Sequence, residues 1–188
     1  MPKLQTTSRL FFAIDLPASV KTRLMDIQHS ISIDEARLVQ PENFHITLSF
    51  LGKVYEDQMD QILTHFTDLE LAPFEVKTDQ LIFWPGSKIL AIGIDGQQQQ
   101  LLACKKQIEY QLSQLNIFQY DKKDFVPHIT LFRQVTQIDK LPELSTMNIT
   151  VDRISLMESR PHISNQQYQT VESWRLINKS VKQQLLGR

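Results

Sequence analysis

The sequence has little of several features that would assign it to a specialised class of protein. One cysteine, Cys104, is present in 188 residues, so no internal disulfide can form and a disulfide scaffold is excluded. The thiol lies in a helix-like run, LLACKKQIEY, and we expect it to be buried and inert. No run approaches the ~18 apolar residues of a membrane-spanning helix, because Asp15 and Pro17 end the N-terminal run RLFFAI. We expect neither export nor membrane insertion, and a reducing, cytoplasmic location.

An excess of basic charge is also missing. The chain has 20 Lys and Arg against 21 Asp and Glu, a net charge of −1. Proteins that hold long nucleic acids usually show a basic excess or a basic stripe. Any RNA partner is therefore expected to be recognised locally, at one end or one nucleotide. Hydrophobic content of 41% with 22% charged residues is typical of a globular protein, and we predict one domain over residues 1–188.

Strand and helix patterns alternate along the chain and predict an α+β fold. Helices are predicted from Pro17, from Glu56 and after Gly96, the first with Val20, Leu24, Ile27 and Ile31 on one face. The strand candidates are RLFFAID, ARLVQ, FHITLSFLG, PFEVKTDQLIFW, SKILAIGI, VPHITLFRQV, MNITVDRISLMES and YQTVESWRL. Gly52 is predicted to end the third of these strands.

The tetrapeptide His-Ile-Thr-Leu occurs twice, at His45 and at His128, which are 83 residues apart (128 − 45). With only five histidines in the chain, a chance repeat of this kind is improbable under ordinary residue usage. In a strand, residues i and i+2 point to the same face, so His45 shares a face with Thr47, and His128 with Thr130. Two similar lobes facing each other would set these strands side by side about a pseudo-two-fold axis.

Two imidazoles and two hydroxyls in one cleft suit acid–base chemistry on a phosphoester. Histidine has a reference pKa near ~6.5, so one ring can accept a proton while the other donates one. The threonine hydroxyls can donate hydrogen bonds to phosphate oxygens. No metal is required by this scheme.

The histidines allow other interpretations. A purely structural repeat and a shared metal site remain alternatives, but zinc usually takes three or more protein ligands and the chain has no HExxH or CxxC pattern. His162, in PHIS, resembles the repeat but is followed by Ile-Ser-Asn-Gln-Gln, and we predict a loop between the last two strands. His29 and His65 fall on predicted helices and are expected to be surface or structural residues.

The two HITL motifs resemble the defining pattern of the two-histidine phosphoesterases, in particular the RNA 2′,3′-cyclic phosphodiesterases, historically labelled 2′-5′ RNA ligases. The resemblance covers most of the chain. It extends to RLFFAIDLP, NFHITLSFLG and PHITLFR, and to Glu158, Ser159, Tyr168 and Trp174 in family order. It implies a bilobal fold, with two pseudo-symmetric antiparallel sheets, helices on the outside and a central cleft.

The same resemblance implies roles for the motif residues. His45 would be the proton donor and His128 the proton acceptor, while Thr47, Thr130 and Arg133 would bind the substrate. The implied reaction opens a terminal 2′,3′-cyclic phosphate to a 2′-phosphomonoester, without a metal or another cofactor. The implied partners are RNA ends or small nucleotides that carry this phosphate, and no obligate protein partner is evident.

Several points stay open at the level of sequence. Strict alternation puts Arg133 on the face opposite His128, so it would have to reach around the strand end, and a structural role is the alternative. Phe11 or Phe12 could stack on a nucleobase, or either could belong to the core. The substrate could instead be a 2′-5′ linked or small cyclic nucleotide, or the 3′ end of an RNA being trimmed. The chain could also be a non-catalytic nucleotide-binding module.

Overall fold

The computed structural model describes residues 6–95, 98–117, 124–138, 140–161 and 166–178. Its helices are α1 (Ala18–Ser30), α2 (Glu56–His65) and α3 (Gln98–Gln114), with a 3₁₀ turn at Pro41–Asn43. Its strands are β1 (Thr7–Asp15), β2 (Arg37–Leu38), β3 (His45–Tyr55), β4 (Phe74–Trp84), β5 (Ile89–Asp95), β6 (His128–Arg133), β7 (Asn148–Val151), β8 (Arg153–Pro161) and β9 (Gln166–Arg175).

The strands form two sheets with related topologies. The first sheet has the order β3-β1-β8-β9, and the second has the order β2-β6-β5-β4-β7. Neighbouring strands in both sheets are antiparallel. The unit β1-α1-β3 corresponds to β5-α3-β6, so each HITL strand pairs with the strand that precedes its helix. The predicted bilobal α+β fold with two pseudo-symmetric antiparallel sheets is confirmed.

Two strand boundaries differ from the prediction. The segment MNITVDRISLMES is not one strand but two, because β7 pairs with β4 in the second sheet and β8 pairs with β1 in the first. The crossing occurs at Asp152, where the buried positions change phase, from Ile149 and Val151 to Ile154. The strand β3 also does not end at Gly52. It continues to Tyr55 through a bulge beside Gly52, whose φ of 71° favours glycine.

The other predicted helices and strands are present, but one strand is much shorter than predicted. ARLVQ contributes only the two residues of β2. The predicted apolar face of α1 is buried at Val20 and Leu24, and Ile31 is buried just beyond the helix. No helix in the described part of the chain combines the length and apolar character needed to span a bilayer.

A single apolar core joins the two sheets and the helices. The helix α3 buries residues at spacings of three and four, the pattern of one helical face: Leu101, Cys104, Ile108 and Leu112. Burial raises the pKa of the Cys104 thiol to about 12, so the thiolate is scarce at neutral pH. The prediction of a buried thiol is confirmed. The opposite face of the first sheet carries a small separate cluster of Phe11, Ala13 and Met157, which underlies the site described below.

Candidate active site

The two HITL strands share one irregularity, a β-bulge at the leucine. In β3, Thr47 pairs with Ala13 and Ser49 pairs with Phe12, so Leu48 has no partner. In β6, Thr130 pairs with Ala91 and Phe132 pairs with Leu90, so Leu131 has none. An extra residue reverses the alternation of side chains beyond it. Two consecutive side chains therefore point to the core in each strand, and the next one points out.

The bulge in β6 changes the expected position of Arg133. Strict alternation predicted the face opposite His128, and that prediction was wrong. Beyond the bulge Arg133 returns to the face of His128 and Thr130, and it is exposed. It need not reach around the strand end.

In the first lobe the equivalent position is Phe50, which the sequence pattern did not reveal. Its side chain is 48% exposed and its ring centroid lies 6.0 Å from that of Phe11. The signal in the sequence was the pair Leu131-Phe132, two adjacent apolar residues before a charged one. In the first copy Ser49 replaces the second apolar residue and hides the pattern.

Each imidazole is oriented by a carbonyl two residues before it. The Nδ1 atom of His45 lies 2.6 Å from the carbonyl oxygen of Asn43, and that of His128 lies 2.7 Å from the carbonyl oxygen of Val126. A carbonyl only accepts, so Nδ1 carries the hydrogen in both rings. The Nε2 atom of each neutral ring is left with a lone pair. At His45 this atom lies 2.9 Å from Thr47 Oγ1, whose hydroxyl donates to the neutral ring.

Aromatic side chains hold both imidazoles. His45 contacts Phe11 and Tyr168, with centroid distances of 5.0 and 5.1 Å, the second edge to face. His128 meets Trp84 edge to face at 4.8 Å. The side-chain oxygen of Asn43 accepts a hydrogen bond from the backbone N–H of Tyr168 at 2.9 Å. The 3₁₀ turn that orients His45 is therefore fixed to β9.

Both histidines are poor at holding a proton in the free protein. Burial lowers the pKa of His45 to about 4, with help from the positive charges of Arg133 and His128 and against the opposing effect of the Asn43 carbonyl. Burial and the Arg133 charge also lower the pKa of His128. Near neutral pH both rings are therefore neutral in the unliganded protein. An anion in the cleft would oppose these effects and raise both pKa values.

A cavity of about 1050 Å³ joins parts of both motifs. Its lining includes His45 and Phe50 from β3, Thr130 and Arg133 from β6, and Tyr168 from β9. Thr47 and His128 are not part of that lining. Thr47 acts on the cavity through its hydrogen bond to His45, and the charge of His128 is close enough to lower the pKa of His45.

Neither of the two phenylalanines that the sequence offered for stacking on a nucleobase, Phe11 and Phe12, is open to a base. Phe12 is fully buried and packs against Phe66 and Trp174, so it belongs to the core. Phe11 is 3% exposed beneath His45 and Phe50, so it has no open face for a base. Phe50 has one.

The two other histidines that the structure describes do not line the cavity. His29 and His65 are exposed on α1 and α2, as predicted. His162 lies outside the described residues. Within the ranges that the structure describes, no group of three or more His, Cys, Asp or Glu side chains is arranged to hold a metal ion.

Comparisons with known proteins agree with this geometry. The family model described as LigT-like phosphoesterase matches residues 14–89, which include the first HITL motif. An RNA 2′,3′-cyclic phosphodiesterase of Archaeoglobus fulgidus is 31% identical over 129 residues, covering 66% of this chain and 72% of the relative. The chain belongs to this family of LigT-like RNA 2′,3′-cyclic phosphodiesterases.

Other members of the family match over nearly the whole chain. The phosphodiesterase of Methanocaldococcus jannaschii is 28% identical over 176 residues, covering 88% of this chain and 99% of the relative. The fold is also similar to that of Escherichia coli LigT crystallised with 3′-AMP. That structure has a TM-score of 0.81 and 24% identity, with 92% of this chain and 100% of the other covered.

The bulge of β6 is held by a buried side chain from α1. The Nε2 atom of Gln28 donates to the carbonyl oxygens of Leu131 at 2.7 Å and Val39 at 3.0 Å. The backbone N–H of Val39 also donates to the Leu131 carbonyl, at 2.9 Å. Gln28 is 4% exposed, so water cannot readily replace it. It connects α1 to the backbone that aims Arg133.

Replacing Gln28 with methionine tests this connection. The variant Gln28→Met keeps the volume but removes the donor, so the free energy of unfolding should fall by about 1–3 kcal/mol. The value of kcat/KM for opening a 2′,3′-cyclic phosphate should fall by up to about 10²-fold in protein that is still folded, because Arg133 is displaced. Urea unfolding and steady-state kinetics measure the two effects. Gln61→Met, on the exposed face of α2, is the control. Full activity in Gln28→Met would contradict a positioning role.

Removing the charge of Arg133 should raise the pKa of both histidines. The variant Arg133→Gln deletes a positive charge that disfavours both imidazolium forms. NMR titration of the imidazole Cε1–H signals measures the change in the unliganded protein. Arg153→Gln, an exposed arginine paired with Asp152, should change neither value. Unchanged histidine pKa values in Arg133→Gln would mean that the guanidinium does not act on this cleft.

Proposed function

We propose that the chain hydrolyses the terminal 2′,3′-cyclic phosphate of RNA to a 2′-phosphomonoester, by proton transfers between His45, His128 and the reacting oxygens and without a metal. The observation that carries the proposal is the pair of equally bulged HITL strands, each with an imidazole whose Nδ1 is fixed by a carbonyl. The names of the family relatives and the 3′-AMP in the Escherichia coli structure support a nucleotide substrate.

The charge of the substrate would prepare the site. A cyclic phosphodiester carries one negative charge, and Arg133 offers a guanidinium for it. That anion would add negative charge opposing the positive charge of Arg133, and the pKa values of both imidazoles would rise. His45 can then hold the proton that it lacks in the free protein. Binding and protonation would thus be coupled.

The ring-opening step balances in atoms and charge. The Nε2 atom of neutral His128 takes a proton from water as the water oxygen bonds to phosphorus. The bond from phosphorus to the 3′-oxygen breaks, and that oxygen takes a proton from Nε2 of His45. Once Nε2 of His45 carries a proton, the Thr47 hydroxyl can no longer donate to it. The hydroxyls of Thr47 and Thr130 then donate to the non-bridging oxygens, where negative charge concentrates in the transition state. Solvent exchange then returns both histidines to their starting states.

The base of the terminal nucleotide would stack on Phe50. This ring lies at the cleft with an exposed face, and stacking on an aromatic side chain tolerates any base. Selectivity for the phosphate rather than for the base follows from this arrangement.

The deciding experiment is incubation with an oligoribonucleotide that ends in a 2′,3′-cyclic phosphate, in excess chelator. Ring opening to a 2′-phosphate is expected, and His45→Ala and His128→Ala should each lower kcat by about 10²–10⁴-fold. Exposed His65→Ala, on α2, is the matched control and should change little. Binding without turnover would favour a nucleotide-binding module. Complete inertness, or activity only on 2′-5′ linked nucleotides, would refute the proposed substrate.

The two proton-transfer roles can be separated by changing the leaving group. A nitrophenolate departs without a proton, whereas a ribose oxygen needs one. His45→Ala should therefore recover much of its activity on a 2′-phosphate nitrophenyl ester, while His128→Ala should stay impaired, because water must still be activated. Rates of nitrophenolate release measure this. Rescue of His128→Ala alone would reverse the assignment of proton donor and proton acceptor. Equal rescue of both variants would remove the basis for any such assignment.

A further inference from the structure

The cavity extends well beyond the reacting groups, along the outer face of the first sheet. Arg9 on β1 and Lys53 on β3 are direct cross-strand partners, and both line the cavity. Arg9 lies four residues before Ala13, the partner of Thr47. Four strand residues span about 14 Å. The second group of charges therefore lies a short distance from the phosphate site, on a continuous surface.

Arg9 and Lys53 set like charges opposite each other in this groove, an arrangement that a bound anion would relieve. Like charges directly opposite on neighbouring strands destabilise a sheet. Among the described residues neither Arg9 nor Lys53 forms an ion pair with a carboxylate, and no Asp or Glu lines the cavity. Arg37 on β2 and Arg133 on β6 bring two more cations to the same cavity.

A contrasting pair elsewhere in the first sheet shows compensation. Arg153 on β8 and Arg175 on β9 are also cross-strand partners. Here Asp152 forms an ion pair with Arg153, with 3.1 Å between Oδ1 and Nε. This pair lies outside the cavity. At Arg9 and Lys53 a bound polyanion would supply the compensation instead.

Exposed aromatic side chains accompany the cations. Phe50 is 48% exposed and Tyr55 is 46% exposed, and both line the cavity. Leu38, at 43% exposure, adds an apolar surface on the side of β2. Cationic side chains along a groove with aromatic rings between them are the usual means of holding single-stranded nucleic acid.

We propose that this groove binds the few nucleotides that precede the cyclic phosphate in an RNA strand, and that the preferred substrate is an oligonucleotide end rather than a mononucleotide. The inference rests on the proposed function. In a terminal 2′,3′-cyclic nucleotide both ring oxygens are used, so the strand leaves through the 5′-oxygen. Stacked nucleotides rise about 3.4 Å each, so the 14 Å to Arg9 and Lys53 correspond to about four nucleotides. Their backbone contacts these cations, and one base stacks on Tyr55.

The dependence of kcat/KM on substrate length tests the proposal. The wild-type value should be about tenfold or more higher for a tetranucleotide that ends in a 2′,3′-cyclic phosphate than for the 2′,3′-cyclic mononucleotide. The double variant Arg9→Ala/Lys53→Ala should reduce this ratio by about 10-fold or more. The matched control is Arg153→Ala/Arg175→Ala, an equal loss of cross-strand charge outside the groove. It should preserve the ratio. Equal values for both substrates in the wild type would overturn the inference and leave the proposed function intact.

Salt dependence and stability provide independent measurements. The slope of log kcat/KM against log salt for the tetranucleotide should flatten by about 0.7 for each phosphate that the double variant no longer neutralises. The melting temperature of Arg9→Ala/Lys53→Ala should stay the same or rise, because repulsion is removed. An unchanged salt slope in a folded double variant would refute binding of the RNA backbone by these cations.

A binding measurement tests the groove independently of catalysis. The affinity of a 5′-fluorescein tetranucleotide ending in the cyclic phosphate can be measured by anisotropy in the His45→Ala background. Weaker binding on adding Arg9→Ala/Lys53→Ala supports the groove. Equal binding overturns it. Competition by polyglutamate as strong as that by the unlabelled tetranucleotide would show a general anion surface and would also overturn it.

Discussion

The β-bulge at the leucine of each HITL motif is the constraint on which the cleft depends. It reverses the side-chain phase, so that two consecutive side chains anchor the strand in the core and the residue beyond them returns to the cleft. The reversal has a cost in the first lobe, since the hydroxyl of Ser49 is buried with no hydrogen-bond partner in the described structure. In the second lobe the Leu131 carbonyl accepts two hydrogen bonds instead. The same bulge therefore places Phe50 in the cleft from the first lobe and Arg133 from the second.

Pseudo-symmetry gives both histidines the same hydrogen bond from Nδ1 to a backbone carbonyl, but the surroundings of the two rings differ. His45 lies between Phe11 and Tyr168 and bonds to Thr47, whereas the ring of His128 packs against Trp84. The deeper desolvation of His45 explains its low pKa in the free protein. A residue that is hard to protonate alone and easier to protonate beside an anion fits a donor that acts only with substrate bound. Unequal surroundings can therefore give opposite roles to identical motifs.

The sequence predicted the strands, the helices and the shared faces of His45 with Thr47 and of His128 with Thr130, because these follow from local periodicity. It could not predict the bulges, which depend on pairing with β1 and β5, and Arg133 and Phe50 were misplaced or missed for this reason. The division of MNITVDRISLMES between two sheets has the same origin. Its hydrophobic pattern fits a strand, but strand partners are set by tertiary contacts. Nor could net charge reveal the groove, since −1 is a sum over the whole chain.

On the two proposals above, the charge of the groove and the charge of the reacting centre would act on the same ligand. Arg133 lowers the pKa of both histidines, so in the unliganded protein it opposes the imidazolium that proton donation requires. Arg9 and Lys53 set like charges against each other farther along the same surface. Stability is thus lower than the fold would allow, a common feature of sites that bind charged ligands. A phosphate strand would relieve both unfavourable arrangements at once. Under the proposed function, the acid–base pair would become correctly protonated in the same event, which would link recognition of the RNA end to the start of the reaction.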